Sequence, residues 1–244
     1  MMGNRFSLFK LGAIIFTIMS MTGCETAPSK VELSKAAIQN IQTIDAYIFV
    51  EQDEIHADIN KSNVATYTGG GLIPALIGAA VDNSRAKNAE ELVKPIRDKM
   101  VDYDYAELIK KEIAQELSKV PWLKVNHLSL FTGLPEKDLQ RNLIPSDSNA
   151  LLVIGSDCFF SPDFKSLNIS GKVHLIRKPQ GSDINFNSCM YKNSVAQSET
   201  LTTNLSSKET AAAKWAENNA DLTRKSIDKL TNEFAKKLAS GLNI

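Results

Sequence analysis

The chain has 244 residues, 43% hydrophobic and 7% aromatic, with 28 Lys plus Arg against 28 Asp plus Glu. That composition folds around a core and excludes a disordered, collagenous or multi-span membrane protein. Balanced charge without a compact basic block offers no groove for a nucleic-acid backbone, so nucleic acid is not an expected partner.

The first 24 residues obey their own rule. Arg5 and Lys10 are followed by an uncharged run from Leu11 to Met21, then Met21-Thr22-Gly23-Cys24. From Leu11 to Gly23 the run spans roughly 20 Å as a helix, short of the roughly 30 Å of a bilayer core, and so reads as an export signal. Met21-Thr22-Gly23-Cys24 resembles a bacterial lipoprotein box, with Met21 where the family most often has Leu. The resemblance implies cleavage before Cys24, diacylglyceryl on its sulfur and acylation of the new amino group. Glu25 at the next position, rather than Asp, implies sorting to the outer membrane, with the body facing the periplasm. Several acyl chains, at about 0.8 kcal/mol per buried methylene, make a durable anchor. Loss of residues 1–23 leaves 26 basic against 28 acidic residues, and only six residues separate Cys24 from Val31. The folded body is therefore expected close to the membrane.

Residues 31–44 place Leu33, Ala37, Ile38, Ile41 and Ile44 at helical spacing, and Ala46 to Val50 reads as an apolar strand. Glu54 to Ile59 is a weaker extended segment. Residues 69–81 are uncharged, opening with three successive glycines, with Pro74 suited to the opening turn of a helix and small residues after it. This stretch reads as a buried small-residue helix or hinge, or a surface that docks on a membrane or partner. Nothing in it has the spacing of a phosphate cradle. Residues 84–97 read as helix up to the neighbourhood of Pro95. Tyr105, Ile109, Ile113, Leu117 and Val120 mark an amphipathic helix over 103–120, with Asp102 as its expected cap and Pro121 as its stop.

Trp122 to Phe131 is expected as a strand, followed by a short helix beginning at Pro135. Ala150 to Ile154 is the expected central strand. Leu167, Ile169, Val173 and Leu175 alternate with polar residues, with Gly171 as an expected bulge. Residues 178–183 are a turn signal, and Ile184, Phe186 and Met190 begin the return strand of a long hairpin. Residues 198–210, with seven Ser or Thr, read as a connector. The chain closes with a helix from about Ser207 to the low 240s, broken near Asn218 and Asn219, whose line of Leu222, Ile227, Leu230, Phe234 and Leu238 packs on the domain or on a partner. The expected fold is a layered α/β (α+β) body: a mixed sheet with a long antiparallel hairpin, helices packed on it, and a long C-terminal amphipathic helix. Its expected organisation is signal peptide 1–23, lipidated tether 24–30, α/β domain 31–197, and connector with helical segment 198–244.

In element order, though without a residue motif, residues 44 to 193 resemble the periplasmic α/β module of the TolB amino-terminal domain and of curli-secretion-type lipoproteins. The features that carry this are the helix over 103–120, the strand over 122–131, the Pro135 helix, the strand over 150–154 and the hairpin beyond Leu167. The resemblance implies a role in envelope assembly or scaffolding and brings no catalytic residue. The 69–81 segment does not look like the alternating membrane strands of a curli pore.

Chemistry in the body is sparse. Cys158 and Cys189 form a disulfide closing a loop of about thirty residues, worth roughly 3 to 4 kcal/mol, or are buried thiols, or include a redox thiol, which no Cys-x-x-Cys motif supports. His56, His127 and His174 stand apart from any zinc or calcium spacing, so no metal or cofactor is expected. His127 with Ser129 lacks an orienting acid, Gly155-Ser156-Asp157 lacks the second glycine of a nucleophile elbow, and Asp102 with Asp104 or Asp157 with Asp163 are acid pairs of the kind that occur by chance.

These readings favour a non-enzymatic lipoprotein held to membrane lipid through acylated Cys24, with a cell-envelope protein or a second copy as partner. A small-ligand-binding lipoprotein and an envelope hydrolase are the alternatives.

Overall fold

The computed structural model describes residues 30–50, 54–60, 72–133, 146–178, 189–203 and 205–244, the side chains of 72–80 excepted. Among the described residues there are four helices, α1 (Lys35–Ile38), α2 (Leu72–Asp98), α3 (Tyr105–Leu117) and α4 (Lys208–Leu242), and six strands. These are β1 (Ile44–Val50), β2 (His56–Ala57), β3 (Val125–Thr132), β4 (Ala150–Phe160), β5 (Ser166–Arg177) and β6 (Cys189–Thr200). The sheet order is β3-β1-β4-β5-β6, with β2 added to the far end of β4. β1 runs parallel to both β3 and β4, while β4, β5 and β6 are successively antiparallel. The layered α/β architecture, long hairpin and C-terminal helix are those expected from the sequence.

All seven residues of β1 are buried, as are the first seven of β4. A strand covered on both faces has no wet side to mark with polar residues, which is why both read as near-continuous apolar runs. Alternate residues serve two clusters. Ile44, Ile48, Leu152, Ile154, Val173 and Leu175 join the main core with Val93 and Ile96 of α2, Ile109 and Ile113 of α3, and Trp215, Ile227, Leu230 and Phe234 of α4. Tyr47, Phe49, Leu151, Val153 and Ile176, with Phe131 and Cys189 against them, form a second cluster whose described members are all strand residues. On that face Asp45 is completely buried and accepts hydrogen bonds from Ser148 Oγ at 2.8 Å, from Ser146 Oγ and from Lys178 Nζ at 3.3 Å. Such a buried carboxylate persists only with that degree of pairing.

Several boundaries differ from expectation for identifiable reasons. Only Lys35–Ile38 is helical in 31–44, because Val31 is engaged in a backbone bridge to Lys192 and Ile44 already pairs in the sheet. The helix expected over 84–97 extends from Leu72 to Asp98; Pro74 lies in its opening turn, where no intrahelical N–H bond is lost, and Pro95 sits in its last turn, just before the helix ends. Asp104, not Asp102, caps α3, accepting the Glu107 N–H at 2.9 Å. The strand expected at Trp122 begins at Val125, since Trp122 turns to donate its indole N–H to the Leu242 carbonyl at 2.8 Å. β6 continues to Thr200, into the segment expected as connector. The Pro135 helix and most of the 178–183 turn lie outside the described residues.

Gly171 is not a bulge; the register shift falls between Leu175 and Ile176. Glycine is required at 171 for another reason. A Cβ there would meet the Gly155 carbonyl oxygen at 2.1 Å and the Phe234 ring at 2.8 Å. The bare backbone lets α4 lower Phe234 onto the hairpin.

α4 opens with a capping box between Ser207 and Thr210 and is interrupted where the sequence suggested. Glu217 is extended, and Asn218, Asn219 and Ala220 are left-handed with φ of 49°, 59° and 57°. The carbonyls released by the break find new donors: Thr223 Oγ1 on Trp215 at 2.8 Å, Lys99 Nζ on Ala216 at 2.7 Å, and Arg224 Nε on Asn219 at 3.3 Å.

Both cysteines are free thiols, so the Cys158–Cys189 bridge is not formed. Cys158 lies opposite Ile169 of β5 and Cys189 opposite Ile176. Seven residues along one strand amount to roughly 23 Å, far beyond the reach of a disulfide.

Replacing Gly171 with Ala is expected to destabilise the fold by about 1–3 kcal/mol through overpacking against an unyielding backbone oxygen. Chemical denaturation reads this as a lower midpoint with an unchanged slope.

Candidate functional site

β1 parts from β4 after Val50, opposite Ser156, and β2 rejoins β4 only at Phe159. Asp157 and Cys158 thus lie where the line of the neighbouring strand is interrupted. Here the carboxyl ends of β1 and β3 meet the N-terminus of α3 around a cleft of about 820 Å³. The chain proceeds from β1 outward to β3, then reverses to place β4 on the other side of β1. In open α/β sheets ligands bind outside the carboxyl ends of strands at such a reversal.

The cleft has an apolar side of Val50, Ile55, Met100, Leu130 and Ala106, and a rim carrying Glu54, Asp102, Asp104, Glu107 and Asp157 against Arg97. Most of these charges have local partners. Arg97 lies 3.0 Å from Glu54, Lys110 3.2 Å from Glu107, and His56 Nδ1 3.6 Å from Asp157. Arg224 donates to Asp102 at 2.5 Å and holds its carboxyl below the usual carboxylate range. Val101, at 87% exposure, stands on the same rim.

Two tyrosines set the wall. Tyr105 Oη and Ser156 Oγ share a hydrogen bond of 2.7 Å, and burial pushes the Tyr105 phenol well above its ordinary range. Tyr103 donates to Asp228 of α4 at 2.6 Å, and burial first, then that hydrogen bond, raises its phenol also. The Arg224 guanidinium lies 5.6 Å from the Tyr103 ring centre and donates to the Lys99 carbonyl at 2.6 Å. The rim loop 99–104 is therefore fastened to α4 just beyond its break.

Of the residues singled out in the sequence, Asp102, Asp104, Asp157 and Cys158 come together at the cleft. Cys158 is buried at the cleft wall; burial, then the Asp157 charge, pushes its thiol far above the normal range, so it stays protonated and a poor nucleophile. Ser156 is not at a strand end but within β4, occupied by Tyr105. Asp163 instead organises the β4–β5 turn, accepting from Ser161 Oγ at 2.7 Å and the Lys165 N–H at 3.1 Å. His127 is exposed on β3, and neither it nor Ser129 lines the cleft. Cys24 lies outside the described residues, as do the glycines of 69–71. Among the described residues no group of three or more His, Cys, Asp or Glu is placed to hold a metal, and no helix is long and apolar enough to cross a membrane.

Sequence reasoning passed over Tyr103, Arg97 and Arg224, and took Tyr105 only as part of a helix stripe. The alternation of acid and aromatic in Asp102-Tyr103-Asp104-Tyr105, immediately before a helix, was the available signal. Comparison with protein-family models, with curated proteins and with solved structures finds no match to this chain.

His174 is 5% exposed, with Nδ1 3.4 Å from Cys189 Sγ. Burial, then Lys192 and Lys172, lowers its pKa to about 4 from an ordinary 6.5. The ring is neutral in the fold, while the unfolded chain takes up its proton below pH 6.5. This contribution to stability is thus complete above pH 6.5 and is lost as pH falls toward 4, by on the order of 1–2 kcal/mol after allowance for solvent screening. Denaturation across that range should show the loss, and His174→Gln should flatten it. At the cleft, Arg224→Ala should cost about 1–2 kcal/mol and raise amide exchange in 99–105, because the loop loses its cation–π contact and its hydrogen bonds together.

Proposed function

We propose that this chain is a lipid-anchored protein of the bacterial cell envelope, attached through Cys24, sorted to the outer membrane, and acting on the periplasmic side as a non-enzymatic scaffold or assembly factor. The observation that carries the reading is the Met21-Thr22-Gly23-Cys24 box behind a short apolar signal. Its consequence is geometric. Val31, seven residues after Cys24, is bound to β6 through reciprocal backbone hydrogen bonds with Lys192, both 3.0 Å. Seven residues reach at most about 25 Å, which holds the β6 edge near the lipid surface.

Support for binding over turnover comes from how the polar groups at the cleft are used. The Cys158 thiol is kept neutral, the Ser156 hydroxyl is engaged by Tyr105, and Asp102 and Asp104 respectively hold Arg224 and cap α3. A second reading, a small-ligand-binding lipoprotein, is favoured by the 820 Å³ cleft at the sheet reversal, whose size suits a small organic molecule.

Cells fed a clickable fatty acid should label the wild-type protein, and intact mass should show a chain beginning at acylated Cys24. Cys24→Ala should abolish the label and retain residues 1–23. A wild-type chain that carries no acyl group overturns the proposal, and a purified body that turns over an envelope substrate overturns its non-enzymatic part.

A further inference from the structure

The entry of the chain and the cleft belong to opposite ends of the sheet. Ile44, the first residue of β1, pairs with Val125, the first of β3, and with Ala150, the first of β4, which in turn faces Arg177, the last of β5. That row marks one end. The cleft lies at the other, beside Val50 and Thr132, the length of β1 away or roughly 20 Å. Near the first end Val31 is bridged to Lys192 at the start of β6, and the last residues of α4 arrive beside it, where Lys30, Leu33, Tyr191, Gly241 and Ile244 share a hollow. The Trp122 indole, bonded to the Leu242 carbonyl, ties the approach to β3 to the same place.

The charges at this end do not cancel locally. Lys30 pairs with Glu32, Lys119 with Glu116 and Lys178 with buried Asp45. Lys35, Lys124 and Arg177 are exposed and Lys192 is half-buried, and among the described residues none of the four forms an ion pair. Against them stand exposed Asp147 and the terminal carboxylate of Ile244, which leaves a positive surplus. Two of the large apolar side chains that remain exposed, Val125 at 37% and Ile244 at 52%, lie at this end as well.

We propose that this end of the body is a docking face for anionic phospholipid headgroups, so that the anchored protein rests on the lipid by the first residues of β1, β3 and β4 and turns its cleft away from the membrane. The proposal rests on the anchor at Cys24. Chain length selects lipid as the occupant: from Cys24 to Lys30 the backbone reaches at most about 20 Å, which keeps this end beside the leaflet. A short tether leaves the body free to rotate, and charge then decides which end faces down. Basic side chains are drawn to an anionic surface within a screening length of about 8–10 Å. Lys35, Lys124, Arg177 and Lys192 come within that range when this end is down, whereas the cleft stays a strand length farther out. Such attraction supplements acyl chains that already hold the protein.

The test takes the protein as cells process it, purified from membranes and added to the outside of preformed vesicles of phosphatidylcholine alone or of equimolar phosphatidylcholine and phosphatidylglycerol. Lysine acetylation read by mass spectrometry reports the contact. Lys35, Lys124 and Lys192 should react about fivefold more slowly on the phosphatidylglycerol vesicles, and the difference should fade in high salt. Lys110, beside the cleft, and Lys225, next to Arg224, should react equally on both. Lys35→Glu with Lys124→Glu, at exposed positions without ion pairs, should abolish the difference at Lys192, with circular dichroism showing the variant folded. Intact mass of the same sample separates the two readings. A chain without acyl groups refutes the anchor, and the face is then judged by whether that chain floats with phosphatidylglycerol vesicles and not with phosphatidylcholine. The docking face is overturned by equal reactivity on both vesicles, by protection at Lys110 and Lys225 instead, by protection of Lys192 that survives the glutamate variant, or by an unacylated chain that floats with neither.

Discussion

Parallel pairing of β1 with β4 imposes the main constraint on this molecule. Parallel neighbours cannot be joined by a tight turn, and both strands here bury both faces. Their registry from Ile44 opposite Ala150 to Val50 opposite Ser156 requires long connections and cover on two sides. It also leaves β4 longer than its neighbour, so the sheet has a gap at Asp157 and Cys158. The cleft is thus a product of unequal strand length combined with reversal of strand order. Its walls come from whatever lies beside the strand ends, which here is the loop leading into α3.

That loop owes its position to α4. Three successive left-handed residues are costly, about 1–2 kcal/mol each for residues other than glycine and less for Asn. The surrounding groups offset the cost: Thr223, Lys99 and Arg224 take up the carbonyls that the break sets loose. Arg224 and Lys99 belong at once to the repair of α4 and to the fastening of the loop that forms the cleft rim. The shape of the rim and the break in the helix are thus two aspects of one hydrogen-bonded unit.

Much of this architecture was legible in the sequence because it rests on periodicity. The apolar run of β4, the alternation in β5, the stripe of α3 and the break at Asn218 and Asn219 each leave a local mark. The features that were missed depend on partners distant in the chain. Asp102 was a reasonable cap by position, yet Arg224, 122 residues away, claims it, and Asp104 serves instead. Trp122 looked like the start of a strand until the end of α4 supplied an acceptor. Gly171 suggested a bulge, whereas its purpose is set by Phe234 and by a carbonyl on another strand. Cys158 flanked the central strand and Cys189 the hairpin return, but their separation is a matter of register, which composition does not encode. For the cleft, acids and tyrosines were visible as letters; that they surround one space follows only from topology.

The attachment of Val31 to β6 has a mechanical meaning. Any pull on the chain upstream of Lys30 arrives first at the two reciprocal bonds between Val31 and Lys192. Because that bridge is antiparallel, tension directed along β6 strains both bonds together, whereas tension directed outward from the sheet peels them in turn. The direction of pull at the amino end therefore decides whether the body resists as a unit or yields first at its border.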